Sequence, residues 1–347
     1  MDESVWDSEQ VITCRDEQVG LRAVVAVDDT TLGPGFGGVR FRAYPDAAAA
    51  VREAQRLARA MTFKHALAEL PYGGAKSVII DDDPGRGGDA RARLVSRFGE
   101  FVARLGGTYI PGVDMGTTMA DMAVLADQGA KVYCARHDPA PWTARGVFAA
   151  LDAATRHTLG VADLTGVTVS VQGAGSVGGA LAELAAGAGA TVLLSDVDPA
   201  RAAAVAERIG AQVVDPRKAP FVDADVFAPC AVARVIGRSD VPRLRARVVA
   251  GAANDVLDTP DVAAALVEAG VTFVPDFVAN AGGVIHEHAR AMGWGEDRLA
   301  ADVDRIGERT SGLLEAAQAT GSAPVDVVLD RGRAVLARAR AAHRHRE

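Results

Sequence analysis

Residues 167–196, VTVSVQGAGSVGGALAELAAGAGATVLLSD, leave the chain little choice of fold. A β-branched run is followed by Gly173-x-Gly175-x-x-Gly178, an alanine-rich helical stretch and a second apolar run ending in Asp196. Strand, helix and strand in that order predict two parallel strands joined by a helical crossover. The first glycine permits a tight turn, the second brings backbone close to a pyrophosphate, and the third lets helix and strand pack closely. The helix N-terminus then faces the phosphates. Gly173, Gly175, Ser176, Val177 and Gly178 are therefore candidate cofactor-binding residues. Asp196, at the end of the second strand, can accept hydrogen bonds from an adenosine ribose. Its charge would repel a 2′-phosphate, which favours NAD over NADP, with Asp198 as the alternative ribose ligand.

From Asp163 onward, short apolar strands alternate with alanine-rich helices: VTVSV, TVLLSD, VDADVFAP, RVVAG and VTFVP. This is the pattern of a doubly wound parallel sheet, in which ligands sit beyond the carboxyl ends of the strands. Those ends are Ala228-Pro229-Cys230, Gly251 to Asn254 and Pro275-Asp276, and the loop VANAGG at 278–283 opens the next helix. Ala228, Asn254 and Asn280 are candidate cofactor-binding residues there, the two asparagines being the polar groups placed to face a nicotinamide or a substrate. The alternative for each asparagine is a turn that bonds its own backbone. Cys230 reads as a small apolar packing residue.

A chain of 347 residues suits two domains. HDPAPW at 137–142 is the linker candidate, because proline ends helices and stiffens a crossing. The expected division is a first domain over 1–136, a Rossmann-type domain over 137–309, and C-terminal helices over about 310–347 returning to the first. A net charge of −8 gives no surface for nucleic acid. Three scattered cysteines argue against a disulfide framework and for a reducing compartment. His286 and His288 are two apart, a spacing that points them in different helical directions, so no metal is expected and they read as a solvated helix face. The start, MDESVWDSEQ, is too acidic for a signal peptide, and no apolar run has the length of a membrane helix. The cytoplasm is the expected location. The basic end, ARARAAHRHRE, reads as a helix end and frayed tail.

The first third mixes strands and helices. VITCRD and LRAVVAVD flank a turn, and Asp46 can cap a helix through AAAAVREAQRLARAMTFKHAL. PYGGAK reads as a turn before the short strand SVII. Glycines and special polar residues gather at 33–38, 71–76 and 111–117. Only four lysines occur, Lys64, Lys76, Lys131 and Lys218, and the first two fall in an apolar, glycine-rich stretch. An ammonium can lose its proton when desolvated and a guanidinium cannot, so lysine there points to chemistry. With a dinucleotide turn elsewhere, two lysines and a carboxylate suit an amino acid as hydride donor. One lysine pairs with its α-carboxylate, the other activates water against an imine carbon, and the carboxylate shuttles protons. Lys64, Lys76 and Asp114 are the candidates, with Gly37 and Gly38 offering backbone N–H groups to a carboxylate.

LGPGFGGVR, ARAMTFKHALAELPYGGAKSVI, GVDMGTTMADM, PWTARGVF, VQGAGSVGG, DVFAPCA, VVAGAAN and PDFVANAGGVI occur in order. On these runs the chain resembles the glutamate/leucine/phenylalanine/valine dehydrogenase family from about residue 20 to 295, and most its shorter members acting on apolar amino acids. The resemblance implies an α/β fold of two domains with the active site in the cleft. It implies that Lys64 binds the substrate carboxylate, Lys76 is the catalytic base and Asp114 the proton shuttle. It places Gly37 and Gly38 along the substrate, Asn254 beside substrate and nicotinamide, and Thr143 by the nicotinamide. The reaction implied is NAD-dependent oxidative deamination to a 2-oxo acid and ammonia, by a homo-oligomer. A non-catalytic NAD-binding relative is the alternative.

Four departures stand out. The family's GGGK is Gly73-Gly74-Ala75-Lys76, which would strain Ala75 if that position needs a glycine-only backbone angle. TAYG is Thr143-Ala144-Arg145-Gly146, the second asparagine of AANN is Asp255, and the glycine-rich segment before DPAP is short. PDFVANAGGVIH resembles phenylalanine enzymes, whereas Phe36, if it lines the pocket, would shrink it for leucine or valine.

Overall fold

A computed structural model describes residues 7–83 and 85–344. The acidic start over 1–6 and the tail expected to fray over 345–347 lie outside the described residues. The chain divides into two compact units. The first runs to Asp138 and resumes at Gly332; the second is Pro139–Arg331. Among the described residues no helix is long and apolar enough to cross a membrane.

The first unit is built on a five-stranded mixed sheet of order β1-β2-β4-β3-β5. Its strands are β1 (Gln10–Asp16), β2 (Leu21–Asp29), β3 (Gly35–Arg42), β4 (Gly73–Ile80) and β5 (Tyr109–Val113). The hairpin β1–β2 and the pair β2–β4 are antiparallel, whereas β3 runs parallel to both β4 and β5. Period-two alternation separates two cores. Val25 and Val27 of β2, Val39 and Phe41 of β3, and Ala75 and Ile79 of β4 face helices α2 (Gly88–Ala103) and α3 (Met119–Asp127) through Leu94, Phe98, Met122 and Leu125. Val24, Ala26, Val78 and Ile80 face α1 (Ala47–Leu67), whose Ala50, Ala54 and Ala58 recur every four residues and let the helix lie close to the sheet. Asp46 caps α1 by accepting from the Ala49 N–H at 2.6 Å, and Thr118 and Asp121 form a reciprocal capping box on α3.

PYGGAK is not the turn expected from its glycines: Gly73 to Lys76 are the first half of β4, buried throughout. The glycines serve close approach. A Cβ on Gly73 would lie 1.9 Å from the Asp29 carbonyl oxygen, and one on Gly74 would lie 2.1 Å from Thr62 Oγ1. Ala75 has no left-handed backbone angle, so the alanine departure brings no strain.

The second unit holds a six-stranded parallel sheet of order β11-β10-β9-β6-β7-β8. Its strands are β6 (Thr168–Gln172), β7 (Thr191–Ser195), β8 (Gln212–Val213), β9 (Val226–Pro229), β10 (Val248–Val249) and β11 (Thr272–Phe273). The two-residue, exposed β8 was not legible in the sequence. Strand order reverses between β6 and β9, the doubly wound arrangement. Helices α4 (Ala140–Leu159), α5 (Ser176–Gly187), α6 (Pro199–Ile209), α7 (Val262–Glu268), α8 (Asp276–Ala279), α9 (Gly282–Ala291) and α10 (Glu296–Thr320) complete the unit, and α11 (Pro324–Arg344) follows. Of the C-terminal helices expected to return from about residue 310, α10 lies wholly in the second unit, and only the chain from Gly332, inside α11, belongs to the first. There Arg340 pairs with Asp29 and donates to Thr31 Oγ1 at 3.2 Å, and Gly332 packs against the ring of Phe63.

Candidate active site

In the first unit, Lys76 and Asp114 meet across a missing side chain. Lys76 shares the parity of Gly74 and Val78 on β4 and faces α1, and Asp114 follows β5 on the far side of β3. Between them Gly38 presents no Cβ. One placed there would lie 2.7 Å from Asp114 Cβ and 3.1 Å from Lys76 Nζ. The Lys76 ammonium therefore reaches Asp114 Oδ2 over bare backbone, at 2.7 Å, with both side chains largely buried. Gly37 is equally constrained, since a Cβ would come 1.7 Å from the Ala75 carbonyl oxygen and 3.3 Å from Met61 Cγ. Tyr109 donates to the Gly37 carbonyl oxygen at 3.0 Å and fixes that strand from below.

Lys64 lies in the last turn of α1, buried, one helical turn beyond Met61 and so on the face that meets Gly37. The structure thus brings Lys76, Asp114 and Gly38 into one cluster and sets Lys64 and Gly37 around Met61. Phe36 does not stand alone beside these glycines. Its ring stacks on His65 at 5.2 Å and meets Tyr72 and Tyr133 edge-on, and the Tyr72 and Tyr133 hydroxyls are bonded at 2.7 Å.

Two residues of this cluster escaped the sequence reading. Arg40 donates from Nε to Asp114 Oδ2 at 3.0 Å, and its Nη2 lies 3.5 Å from Oδ1. Glu53 on α1 accepts from Arg40 Nη1 at 2.6 Å and pairs with Arg56 at 2.7 Å. The signal was present: Arg40 is two residues beyond Gly38 on a strand, hence on the same face. Burial opposes ionisation of Asp114, but the charges of Lys76 and Arg40 outweigh it and hold the carboxyl well below the usual range.

In the second unit the glycine turn follows β6 as expected. Gly173 has φ of +103°, the left-handed backbone only glycine adopts readily, and a Cβ on Gly178 would lie 2.0 Å from the Gly173 carbonyl oxygen. Gly175 faces open space and has no side-chain cap, so the first N–H groups of α5, from Ser176 and Val177, are available to an anion. A pocket of about 670 Å³ opens there, lined by Gly175, Ser176, Glu183, Arg201 and Arg208 among others. Asp196 bonds two of the pocket's lining residues, Ala174 and Arg201, and its carboxylate is turned to the glycine turn itself. Oδ2 accepts from the Ala174 N–H at 2.7 Å and Oδ1 from the Asp198 N–H at 2.8 Å, with Arg201 at 3.3 Å. Burial opposes its ionisation, and those N–H groups and Arg201 overcome it, lowering the pKa. Asp198 caps α6.

The other strand-end residues converge. Asn280 donates from Nδ2 to the Ala252 carbonyl oxygen at 3.0 Å and to Asn254 Oδ1 at 2.8 Å. Its own Oδ1 is buried without a partner, an acceptor that fits the amide N–H of a nicotinamide. Thr143, in the first turn of α4, abuts Gly283, where a Cβ would lie 2.6 Å from Thr143 Oγ1. Ala228 is fully buried within β9 and reaches the turn only through the residues after it; Ala231 packs on Gly173, and Cys230 on Gly178. Burial pushes the Cys230 thiol up to about 12, which agrees with a packing role.

Two further departures, Arg145 and Asp255, are absorbed locally. Arg145 makes a two-pronged pair with Asp304 at 2.7 Å per contact. Asp255 sits at φ of +52°, a left-handed position that Asn and Asp tolerate better than other side chains. The solvated face expected for His286 and His288 is corrected: both are buried. Helix α9 is packed by α4 and α10, so His286 stacks on Trp142 and bonds Glu287 at 2.9 Å, while His288 meets Trp294 edge-on.

Comparison with known proteins places this geometry. Residues 8–131 match the family described as Glu/Leu/Phe/Val dehydrogenase, dimerisation domain, and residues 195–292 match Glutamate/Leucine/Phenylalanine/Valine dehydrogenase. A leucine dehydrogenase of Bacillus subtilis is 37% identical over 322 residues, covering 91% of this chain and 88% of that protein. A valine dehydrogenase of Streptomyces coelicolor is 36% identical, covering 91% and 88%. The crystal structure of L-tryptophan dehydrogenase from Nostoc punctiforme aligns with a TM-score of 0.82 at 33% identity, over 98% of this chain and 99% of that one.

Proposed function

The chain belongs to the glutamate/leucine/phenylalanine/valine dehydrogenase family, and from that premise we propose how its own residues oxidatively deaminate an apolar L-amino acid to its 2-oxo acid and ammonia. The observation that carries the reading is the buried Lys76–Asp114 pair, closed at 2.7 Å over Gly38. A bound nicotinamide dinucleotide supplies the acceptor for the Cα hydride. Lys64 holds the substrate carboxylate, with backbone N–H groups at Gly37 and Gly38 beside it. Lys76, as the neutral amine, takes a proton from the water that adds to the imine carbon. Asp114 hands a proton to the departing amino group, and its charge holds Lys76 in place beside the reacting carbon.

The coenzyme residues on this reading are Gly173, Gly175, Ser176, Val177 and Gly178 at the phosphates, Asp196 at the ribose, and Thr143, Asn254 and Asn280 toward the nicotinamide, with Ala228 contributing only through the loop that follows it. NAD is the coenzyme proposed, because the Asp196 carboxylate at the end of β7, beside the glycine turn, disfavours a 2′-phosphate. The substrate is of the phenylalanine, leucine or valine class. The enzyme works in the cytoplasm as a homo-oligomer, assembled through the segment that matches a dimerisation domain. The test is NADH formation at alkaline pH with each apolar and aromatic amino acid, glutamate included. One or two strong substrates are expected, and Lys76→Ala should abolish turnover while NAD binding persists. Turnover surviving in Lys76→Ala would sink the assignment of the base.

A further inference from the structure

We propose that Arg40 is a positioning residue for proton transfer: it locks one oxygen of Asp114 so that the other, Oδ1, is the atom that takes and gives the proton. The inference rests on the function proposed above. Asp114 Oδ2 receives both Lys76 Nζ at 2.7 Å and Arg40 Nε at 3.0 Å, whereas among the described residues Oδ1 has only the longer approach of Arg40 Nη2 at 3.5 Å. An oxygen already accepting two charged donors has little capacity for a proton; the lightly held one keeps it. Arg40 can play this part because it cannot take part in the exchange. Its guanidinium stays charged throughout, while Lys76 must alternate between ammonium and amine. At the moment Lys76 is neutral, Asp114 keeps one fixed counter-charge and does not swing away.

Arg40 is itself held. Gly38, two residues earlier on the same face of β3, clears the space, and Glu53 binds Nη1 at 2.6 Å from α1, backed by Arg56. The charged and titratable groups around Asp114 are then Lys76 from β4, Arg40 from β3, Tyr44 after it, Tyr109 from β5, and Glu53 with Arg56 from α1. No other arginine is bonded to Asp114 among the described residues.

The experiment compares pH profiles of kcat and KM for wild type, Arg40→Gln, Arg40→Lys and Glu53→Gln with the best amino acid substrate. Arg40→Gln should lower kcat about tenfold or more with both KM values held within roughly threefold. It should also move the acid limb of kcat up by about one pH unit, because removing a cation favours the protonated form of the group that carries the limb. Arg40→Lys keeps the charge and loses the fork, so the limb returns toward wild type while kcat recovers only in part. Glu53→Gln removes the anion behind Arg40 and should move the limb the other way; with Arg40→Lys it keeps the test alive if Arg40→Gln fails to fold. A purely structural role would lower active protein without moving the limb. An active wild type with an unmoved limb in the folded variants overturns this proposal alone. A wild type that turns over no amino acid sinks the function on which it rests.

Discussion

His65 gives the first unit a pH dependence that begins well above the range in which its carboxylates titrate. The ring is fully buried, and Nδ1 lies 2.9 Å from the Gly73 carbonyl oxygen. A carbonyl only accepts, so Nδ1 carries the hydrogen and Nε2 is a bare acceptor, and that atom has no partner. Protonation would place a second N–H where nothing accepts it. Burial pushes the imidazole pKa down from 6.5 to about 3, partly opposed by the Gly73 bond and assisted by the charge of Lys64. The sign follows from linkage. Between those two values the unfolded chain binds a proton at His65 and the folded chain does not, so stability falls as pH drops through 6.5 and the loss levels off near 3. At pH 5 the loss relative to neutral pH is about 2 kcal/mol. In urea denaturation this is a midpoint shift of about 1 M. The comparison is with His65→Phe, which keeps a ring against Phe36 and cannot titrate. Every other group titrates in both proteins, so the difference between their stabilities isolates His65. Wild type should lose about 2 kcal/mol more than the variant between pH 7.5 and pH 5. Parallel curves would show that His65 is accessible to protons in the folded state and refute the reasoning.

Three further outcomes are expected. Ala75→Gly, which restores the family's commoner residue, should cost about 1 kcal/mol in thermal denaturation and give no gain in kcat, because Ala75 is fully buried in ordinary strand backbone. Asp114→Asn should abolish turnover and also flatten the acid limb of stability. A carboxyl with a depressed folded pKa contributes fully above its usual value of about 4 and loses that contribution as pH falls below it, so the variant should differ in slope only there. Asp196→Ala should lower the preference for NAD over NADP in kcat/KM, and should loosen the glycine turn enough to raise hydrogen exchange at Ala174, whose N–H the carboxylate holds. Unchanged discrimination would remove Asp196 from coenzyme choice.

The second unit was readable because its elements are short and their punctuation is local. Gly173 makes the tight turn and Gly178 the close helix–strand contact that their spacing predicts, and all five expected strands end within two residues of the observed ones. The strand β8 was not readable, since two exposed residues carry no hydrophobic signal. PYGGAK was misread for a physical reason. Glycine serves both reversed backbone and close approach, and sequence shows the residue without showing which need it meets. Neither Gly73 nor Gly74 has positive φ; both exist to let β2 and α1 come close. His286 and His288 were misread because periodicity reports one face of a helix, and α9 is covered on more than one.

The scarcity of lysine pointed to Lys64 and Lys76 by asking which cations can change charge. The structure completes that logic with the opposite case. Asp114 is bound by one cation of each kind, Lys76, which can give up its proton, and Arg40, which cannot. Two lysines would leave the carboxylate without a counter-charge at some stage of a proton cycle, and two arginines would leave no base. On the proposed function, the two residue types on one carboxylate have separate tasks, exchange and anchorage. Gly38 is the condition for both, because any side chain on β3 at that point would occupy the line from Lys76 Nζ to Asp114. A glycine between two charged residues on neighbouring strands is therefore as much part of the chemistry as the charges it lets meet.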